Sequence, residues 1–240
     1  MQSKAIQVDW AGQARQVWVV DQFDNFLSDF AEEVGGQLTD ERCPFGVLLW
    51  PCARTLAQFL FDDQTLQKDA DDSSAAPRMI IELGCGVGFM ACILATLCPD
   101  AAIYACDYEA GLEAMVNRNA ADWGVADRVH FKLIDWREPV PEAWRGRCDA
   151  VVGTDVFYDD SHLKHLPPYA ADLLKPRGRL LLADPKRYRF GQALHNLKDS
   201  FDLQRHIERN CSMHQDGIED FMINLGVEAQ KISILDLSKK

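Results

Sequence analysis

No apolar run in the 240 residues is long enough to span a bilayer, and the chain starts without the basic-then-apolar order of a secretory leader. Its eight cysteines include no C-x-x-C pair, so their spacing spells neither a zinc-type site nor a disulfide scaffold. Positive charge is scarce as well: 25 lysines and arginines stand against 37 aspartates and glutamates, a net charge of −12. Binding a phosphate backbone needs a positive face, which removes nucleic acid as a main partner. No internal repeat is present, and none of the absences points to a membrane. What remains is an ordinary globular composition, 48% hydrophobic and 26% charged, in a chain long enough for one good core. Cys85, Cys92, Cys98 and Cys106 fall inside an apolar unit and read as small buried hydrophobes in a reducing compartment. A cytoplasmic or nuclear location is the resulting expectation.

The most informative stretch begins Met79-Ile80-Ile81-Glu82-Leu83-Gly84-Cys85-Gly86-Val87-Gly88 and continues to Ile103-Tyr104-Ala105-Cys106-Asp107. An apolar run ends in a glycine turn, an apolar helix follows, and a second apolar run ends in a lone carboxylate. That order describes strand, helix and parallel strand, with a nucleoside seated at the carboxyl ends of the strands. The glycines let the backbone turn and approach a ligand, and the carboxylate is placed to accept hydrogen bonds from ribose hydroxyls. A dinucleotide fingerprint wants glycine or alanine where this chain has Phe89, which argues against a nicotinamide dinucleotide.

Along the chain, Ile6 to Val20 suggests a small hairpin and Asp24 to Glu33 a helix ended by Gly35-Gly36. A helix carrying Leu56, Phe59 and Leu60 follows Pro51, and Asp62 to Pro77 reads as an exposed polar connection. From Met79 the pattern alternates regularly. Helices are expected at Phe89 to Leu97, Glu109 to Trp123, Tyr169 to Leu174 and Phe190 to Phe201. Strands are expected at Val129 to Ile134, Ala150 to Gly153, Arg179 to Ala183, Leu203 to Ile207 and Ile232 to Leu237. Such alternation means a mostly parallel sheet with helices on both faces. The chain divides into an N-terminal extension (1–61), a connection (62–78) and a core (79–240).

The E/D-x-G-x-G-x-G pattern at Glu82 to Gly88 resembles motif I of class I S-adenosylmethionine (SAM) methyltransferases, and Asp107 resembles their ribose-binding acid. Gly46-x-x-x-Trp50-Pro51-x-Ala53-x-x-Leu56-Ala57-x-x-Leu60 is similar to the segment before motif I in the seven-β-strand protein-lysine methyltransferases. Those enzymes act on molecular chaperones, valosin-containing ATPase and calmodulin. Ile134-Asp135-Trp136 and Gly153-Thr154-Asp155-Val156-Phe157-Tyr158 resemble the family's third-strand end and its D-x-x-Y/F motif, and Lys186-Arg187-Tyr188 has counterparts in several members. The resemblance covers Phe45 to Phe201. It implies a Rossmann-like, doubly wound, seven-stranded α/β core that uses SAM and releases S-adenosylhomocysteine. Departures are Cys85 for the usual alanine or serine, Pro51 where some members have aspartate, and Asp184-Pro185. The Trp-Pro and Asp-Pro forms also resemble a bacterial branch described as nicotinamide-N-methylase-like.

Carried over residue by residue, the resemblance implies a cofactor site of Trp50, Glu82, Gly84, Cys85, Gly86, Gly88, Asp107, Tyr108, Asp135, Trp136 and Thr154. It implies that Asp155 orients a substrate amine while Phe157 and Tyr158 wall the channel for its aliphatic stem. Each has a plainer reading beside it. Asp155 is also a fitting helix cap, Phe157, Tyr158, Trp50 and Trp136 are also fitting core aromatics, and Glu82 could orient backbone groups. His162 and His165 share a helix face, but without the cysteine or carboxylate pattern of a metal site. The basic cluster Arg177, Arg179, Lys186, Arg187 and Arg189 reads either as solvated loop or as a dock for an acidic surface on a protein substrate. The expected activity is N-methylation of a protein lysine. A nicotinamide-like small-molecule methyltransferase and a non-catalytic SAM-binding adaptor are the alternatives.

Overall fold

The computed structural model describes residues 2–33, 35, 44–64, 66, 78–186, 189–211 and 231–240. The Gly36 end of the first helix, most of the 62–78 connection, and Arg187 and Tyr188 lie outside the described residues.

Ser3–Trp10 (β1) and Gln13–Val20 (β2) form an antiparallel hairpin. Helices α1 (Phe23–Glu33) and α2 (Pro51–Asp63) follow. The sheet is built from β3 (Arg78–Leu83), β4 (Ala101–Asp107), β5 (Val129–Leu133), β6 (Cys148–Thr154), β7 (Leu174–Asp184), β8 (Phe201–Asn210) and β9 (Lys231–Lys239). Its spatial order is β5-β4-β3-β6-β7-β9-β8, parallel except that β9 runs antiparallel to both β7 and β8. Between the strands lie α3 (Phe89–Leu97), α4 (Glu113–Asp122), α5 (Asp160–Leu173) and α6 (Phe190–Leu197).

Period-two alternation splits each strand between two cores. Ile80, Val152 and Leu181 join the hairpin, α2, α3 and α4 on one face, while Ile81, Val151, Leu180 and Leu182 join α5 and α6 on the other. The expected N-terminal extension is divided in its role: α2 lies with α3 on the first face, and the hairpin rests on α4. A lone hairpin is marginal in water. Burial of Val8, Trp10, Val17 and Val19 supplies the anchor, at roughly 1.5–3 kcal/mol for a fully buried aliphatic side chain.

Two of the elements that run past the sequence signals do so through prolines. Helix α5 starts at Asp160, capped by Asp159 (Ser161 N to Oδ1, 2.7 Å), and runs through Pro167 and Pro168. Pro167 has no N–H to offer the carbonyl of Leu163 one turn back. The amide Nδ2 of Asn196, on α6, donates to that oxygen at 2.8 Å and takes the missing role. Strand β7 was expected from Arg179 and begins at Leu174, so it includes Pro176-Arg177-Gly178. The ladder skips from Cys148–Leu174 to Ala150–Arg179, so the extra residues form a bulge, with Arg177 left-handed (φ 63°).

Candidate functional site

A cavity of about 310 Å³ opens at the carboxyl ends of β3, β4 and β6. That is where a doubly wound sheet places its ligand, because the strand order reverses between β4 and β6 around β3. Its walls are the glycine loop after β3, the Asp107-Tyr108-Glu109 end of β4, the Thr154–Tyr158 segment after β6, and Pro44–Trp50 leading into α2.

Gly84 and Gly86 have φ of +71° and +50°, a region that costs other residues roughly 1–2 kcal/mol. A Cβ on Gly86 would lie 2.7 Å from the carbonyl oxygen of Gly46. The loop is cross-tied to β4: Gly84 N and Cys85 N donate to Cys106 O at 2.9 and 3.0 Å, and Gly86 N donates to Asp107 Oδ2 at 3.0 Å. Asp107 Oδ1 accepts from Glu109 N at 3.1 Å. Burial raises the Asp107 carboxyl to about 6, against the lowering effect of the backbone N–H groups of Gly86, Glu109 and Tyr108.

Glu82 is buried on the same wall, and its Oε2 has no hydrogen-bond partner among the described residues. Burial pushes its carboxyl well above the usual range, with the Ala91 backbone hydrogen bond opposing the rise and Asp107 adding to it. Cys85, Cys92 and Cys106 are raised by burial too and stay as protonated thiols, in keeping with their reading as small hydrophobes.

At the other end, Asp155 is buried and left-handed (φ 59°), with its N–H donating to Ala183 O at 2.8 Å. Aspartate tolerates this region better than most residues. Rings continue the wall. Phe45 meets Trp50 and Tyr158 edge-on at 5.7 and 5.9 Å, and Trp50 Nε1 donates to Phe45 O at 2.8 Å. Arg189 reaches in from the start of α6, donating from NH1 to Tyr158 O at 2.9 Å and from Nε to Asp160 Oδ1 at 2.6 Å.

Trp50, Glu82, Gly84, Cys85, Gly86, Asp107, Tyr108, Trp136, Thr154, Asp155 and Tyr158 therefore share one cavity. Three expected residues do not line it. Phe157 is fully buried in the second core, a correction to the place on the channel wall that the resemblance implied: past the end of β6 the left-handed Asp155 turns the chain, and the Phe157 ring packs inward. Gly88 caps α3 from behind, its missing Cβ 3.0 Å from Val116 Cγ1. Asp135 borders a separate small recess with Tyr108, Trp136, Arg137 and His162. Its carboxylate is held at 2.9 Å by Arg137 Nε and by Arg137 N, and these hydrogen bonds lower its pKa.

Phe45, Met90 and Glu109 line the cavity and were not singled out as binding residues, and Arg189, read from the sequence only as part of a possible outer dock, lines it too. For Phe45 the signal was present, beside Gly46 in the G-x-x-x-W-P segment. For Arg189 it was hidden in the basic cluster. Within that cluster Arg179 is paired with the buried Asp236 (3.2 Å from Nε) and Lys186 with Glu208. His162 sits edge-on between Trp136 (5.0 Å) and Tyr158 (4.6 Å), with Nδ1 3.1 Å from Val156 O.

Comparison with known proteins follows the same residues. The model of a family described as lysine methyltransferase matches residues 37–200. A curated relative, UPF0665 family protein C23C4.06c of Schizosaccharomyces pombe, is 26% identical over 112 residues, 45% of this chain. The chain spans only 34% of that protein's length. Among solved structures, a candidate sarcosine dimethylglycine methyltransferase from Galdieria sulphuraria superimposes with a TM-score of 0.60 at 14% identity, covering 90% of this chain and 98% of that one. Geranyl diphosphate C-methyltransferase from Streptomyces coelicolor gives 0.55 at 16%, covering 77% and 75%. TrmN from Thermus thermophilus gives 0.53 at 21%, covering 80% of this chain and 49% of that one. At such identities the likeness is one of fold alone, the same arrangement of sheet and flanking helices.

Proposed function

The chain belongs to the lysine methyltransferase family, and from that premise we propose that it transfers a methyl group from SAM to the side-chain amine of a lysine in another protein. One observation carries the reading. The glycine loop with Asp107 and the Asp155–Tyr158 segment open into the same cavity, so donor and acceptor have adjoining places.

The residues present suit the cofactor. The Gly84 and Gly86 cradle has no side chain to fill it, Asp107 keeps acceptor capacity beyond the backbone N–H groups of Gly86, Glu109 and Tyr108, and Glu82 Oε2, with no partner among the described residues, lies on the same wall. Trp50, Cys85, Tyr108, Trp136 and Thr154 complete the walls that would hold it, with Gly88 and Asp135 supporting from outside. When bound, SAM supplies an electrophilic methyl group and a positive charge that disfavours an ammonium beside it.

The chain's own work is positioning and exclusion of water. A free lysine, with pKa about 10.4, is neutral only about one time in a thousand near pH 7.4, a deficit of about 4 kcal/mol. Asp155 does not remove that proton, since a carboxylate stabilises an ammonium. Its role is to aim the amine, while Phe45, Trp50 and Tyr158 enclose the aliphatic stem. Of the basic cluster, Arg189 is the member that lines the cavity among the described residues, and a protein acceptor with an acidic surface would meet it there in competition with Asp160.

A second reading has one observation in its favour. Pro44–Trp50 forms a wall over the cavity, which suits a small acceptor of the nicotinamide type. Incubation with tritiated SAM and lysate separates the readings. A labelled protein band that vanishes with Asp155→Ala supports a protein acceptor, and label confined to small molecules supports the second. SAM binding with no transfer leaves the non-catalytic adaptor.

A further inference from the structure

The N-terminal hairpin contributes no residue to the cavity wall, yet one side chain connects it to the cofactor loop. Asn119 lies inside α4 with no exposed surface. Asparagine is a poor helix-interior residue and an expensive one to bury, so its amide must find partners. It finds three. Oδ1 accepts from Trp18 N at 2.7 Å, and Nδ2 donates to Trp18 O at 3.1 Å and to Val87 O at 2.8 Å.

The two bonds to Trp18 are those a neighbouring strand would make. Trp18 and Gln16 are two residues apart on β2, so their backbone groups point to the same edge. Gln16 O is likewise taken by an α4 side-chain neighbour, Trp123 Nε1, at 2.9 Å. Side chains of the α4 segment thus close the edge of β2 that β1 leaves open. The third bond goes to the residue between Gly86 and Gly88, in the turn where the backbone is most free. One helical turn earlier, Val116 fills the space beside Gly88.

We infer that Asn119 is a positioning residue for SAM binding: it fixes the Val87 carbonyl and hence the glycine loop, and the docked hairpin fixes Asn119. The inference rests on the SAM reading for its functional consequence, but the restraint on the loop is a property of the protein alone. Removing the amide leaves the Val87 and Trp18 carbonyls without this donor and frees the loop.

The test compares Asn119→Ala with Leu237→Ala, a core truncation on β9 that touches neither loop nor hairpin. Two quantities are read well below the melting temperature: the calorimetric Kd for SAM, and the exchange rate of the Gly88 amide without SAM. Asn119→Ala should weaken SAM binding about tenfold, the scale of one buried hydrogen bond lost with its partner left unsatisfied, and should speed Gly88 exchange. Leu237→Ala should lose stability while leaving both near the unaltered protein. Equal Kd values for Asn119→Ala and the unaltered protein, or an equal loss in Leu237→Ala, would overturn the inference. If Asn119→Ala does not fold, Asn119→Leu keeps nearly the same volume and removes all three bonds without burying a charge, with the same expectation. An unaltered protein that fails to bind SAM sinks the cofactor reading instead, and Gly88 exchange then decides the brace.

Discussion

Gly86 and Gly46 meet backbone to backbone: a Cβ placed on Gly86 would lie 2.7 Å from the Gly46 carbonyl oxygen, and one placed on Gly46 would lie 3.2 Å from the Gly86 Cα. Neither residue has room for a side chain, so the segment leading into α2 and the loop after β3 form one surface of the cavity. Gly86→Ala adds a clash to a left-handed backbone. Its melting temperature should fall by about 2–4 °C for each kcal/mol lost, starting from the roughly 1–2 kcal/mol cost of the conformation. SAM binding should weaken at least tenfold by calorimetry, because the loop must move to relieve the contact. An alanine variant with unchanged affinity would contradict this contact.

Asp107 gives the molecule a pH dependence. Burial raises its carboxyl from the ordinary aspartate value of 3.8 to about 6 in the folded state, so folding takes up a proton between those values. Its contribution to stability is full below about pH 4 and is lost as pH rises to about 6, a decline on the order of 3 kcal/mol. SAM affinity should move the opposite way, rising through about pH 6 as the carboxylate becomes available to accept hydroxyl donors. Asp107→Asn should flatten both curves, read by denaturant melts and calorimetry across pH 4–8. A parallel slope in that variant would assign the titration to another group.

Asp155 is expected to matter for turnover and not for cofactor affinity. Asn tolerates the left-handed φ of 59° as aspartate does, so Asp155→Asn separates charge from backbone strain. With a confirmed acceptor, kcat/KM should fall about a hundredfold, the scale of a misaligned reactant, while the SAM Kd stays within twofold. Near-full turnover would return Asp155 to the role of a structural turn residue.

The α5 prolines predict a non-additive pair. Asn196→Ala strands the Leu163 carbonyl and should cost about 1–3 kcal/mol. Pro167→Ala restores an N–H one turn on, so in its presence the loss from Asn196→Ala should shrink by about 1 kcal/mol or more. Denaturant melts of the two single variants and the double decide it, and strict additivity would show that Asn196 does not substitute for the missing donor.

Much of the architecture was legible because strands buried on both faces carry unbroken apolar runs and each ends at a marked residue. Met79 to Leu83 and Ile103 to Asp107 became the adjacent parallel strands β3 and β4, within a residue or two of expectation. The helix expected to Phe201 ends at Leu197, and Phe201 opens β8, while the misjudged bounds of α5 and β7 share a cause. Pro167, Pro168 and Pro176-Arg177-Gly178 are local stop signals, overruled by Asn196 from another helix and by a bulge against Cys148. Phe157 was placed on the channel wall by the resemblance, and the structure gives it the plainer reading named beside that one, a core aromatic, next to a left-handed Asp155.

The sequence by itself determined the alternation of strands and helices, the glycine turn with its acid at Asp107, and the family's motif spacing. These are encoded by neighbours along the chain, in backbone freedom and in the two- and four-residue periods of burial. Only the tertiary structure decided that Phe45 and Arg189 reach the same cavity, that Gly46 lies against Gly86, and that Asn119 joins the hairpin to the loop. Such relations span many residues of chain, and what selects them is packing and the need of each buried polar group for a partner, which no local pattern carries.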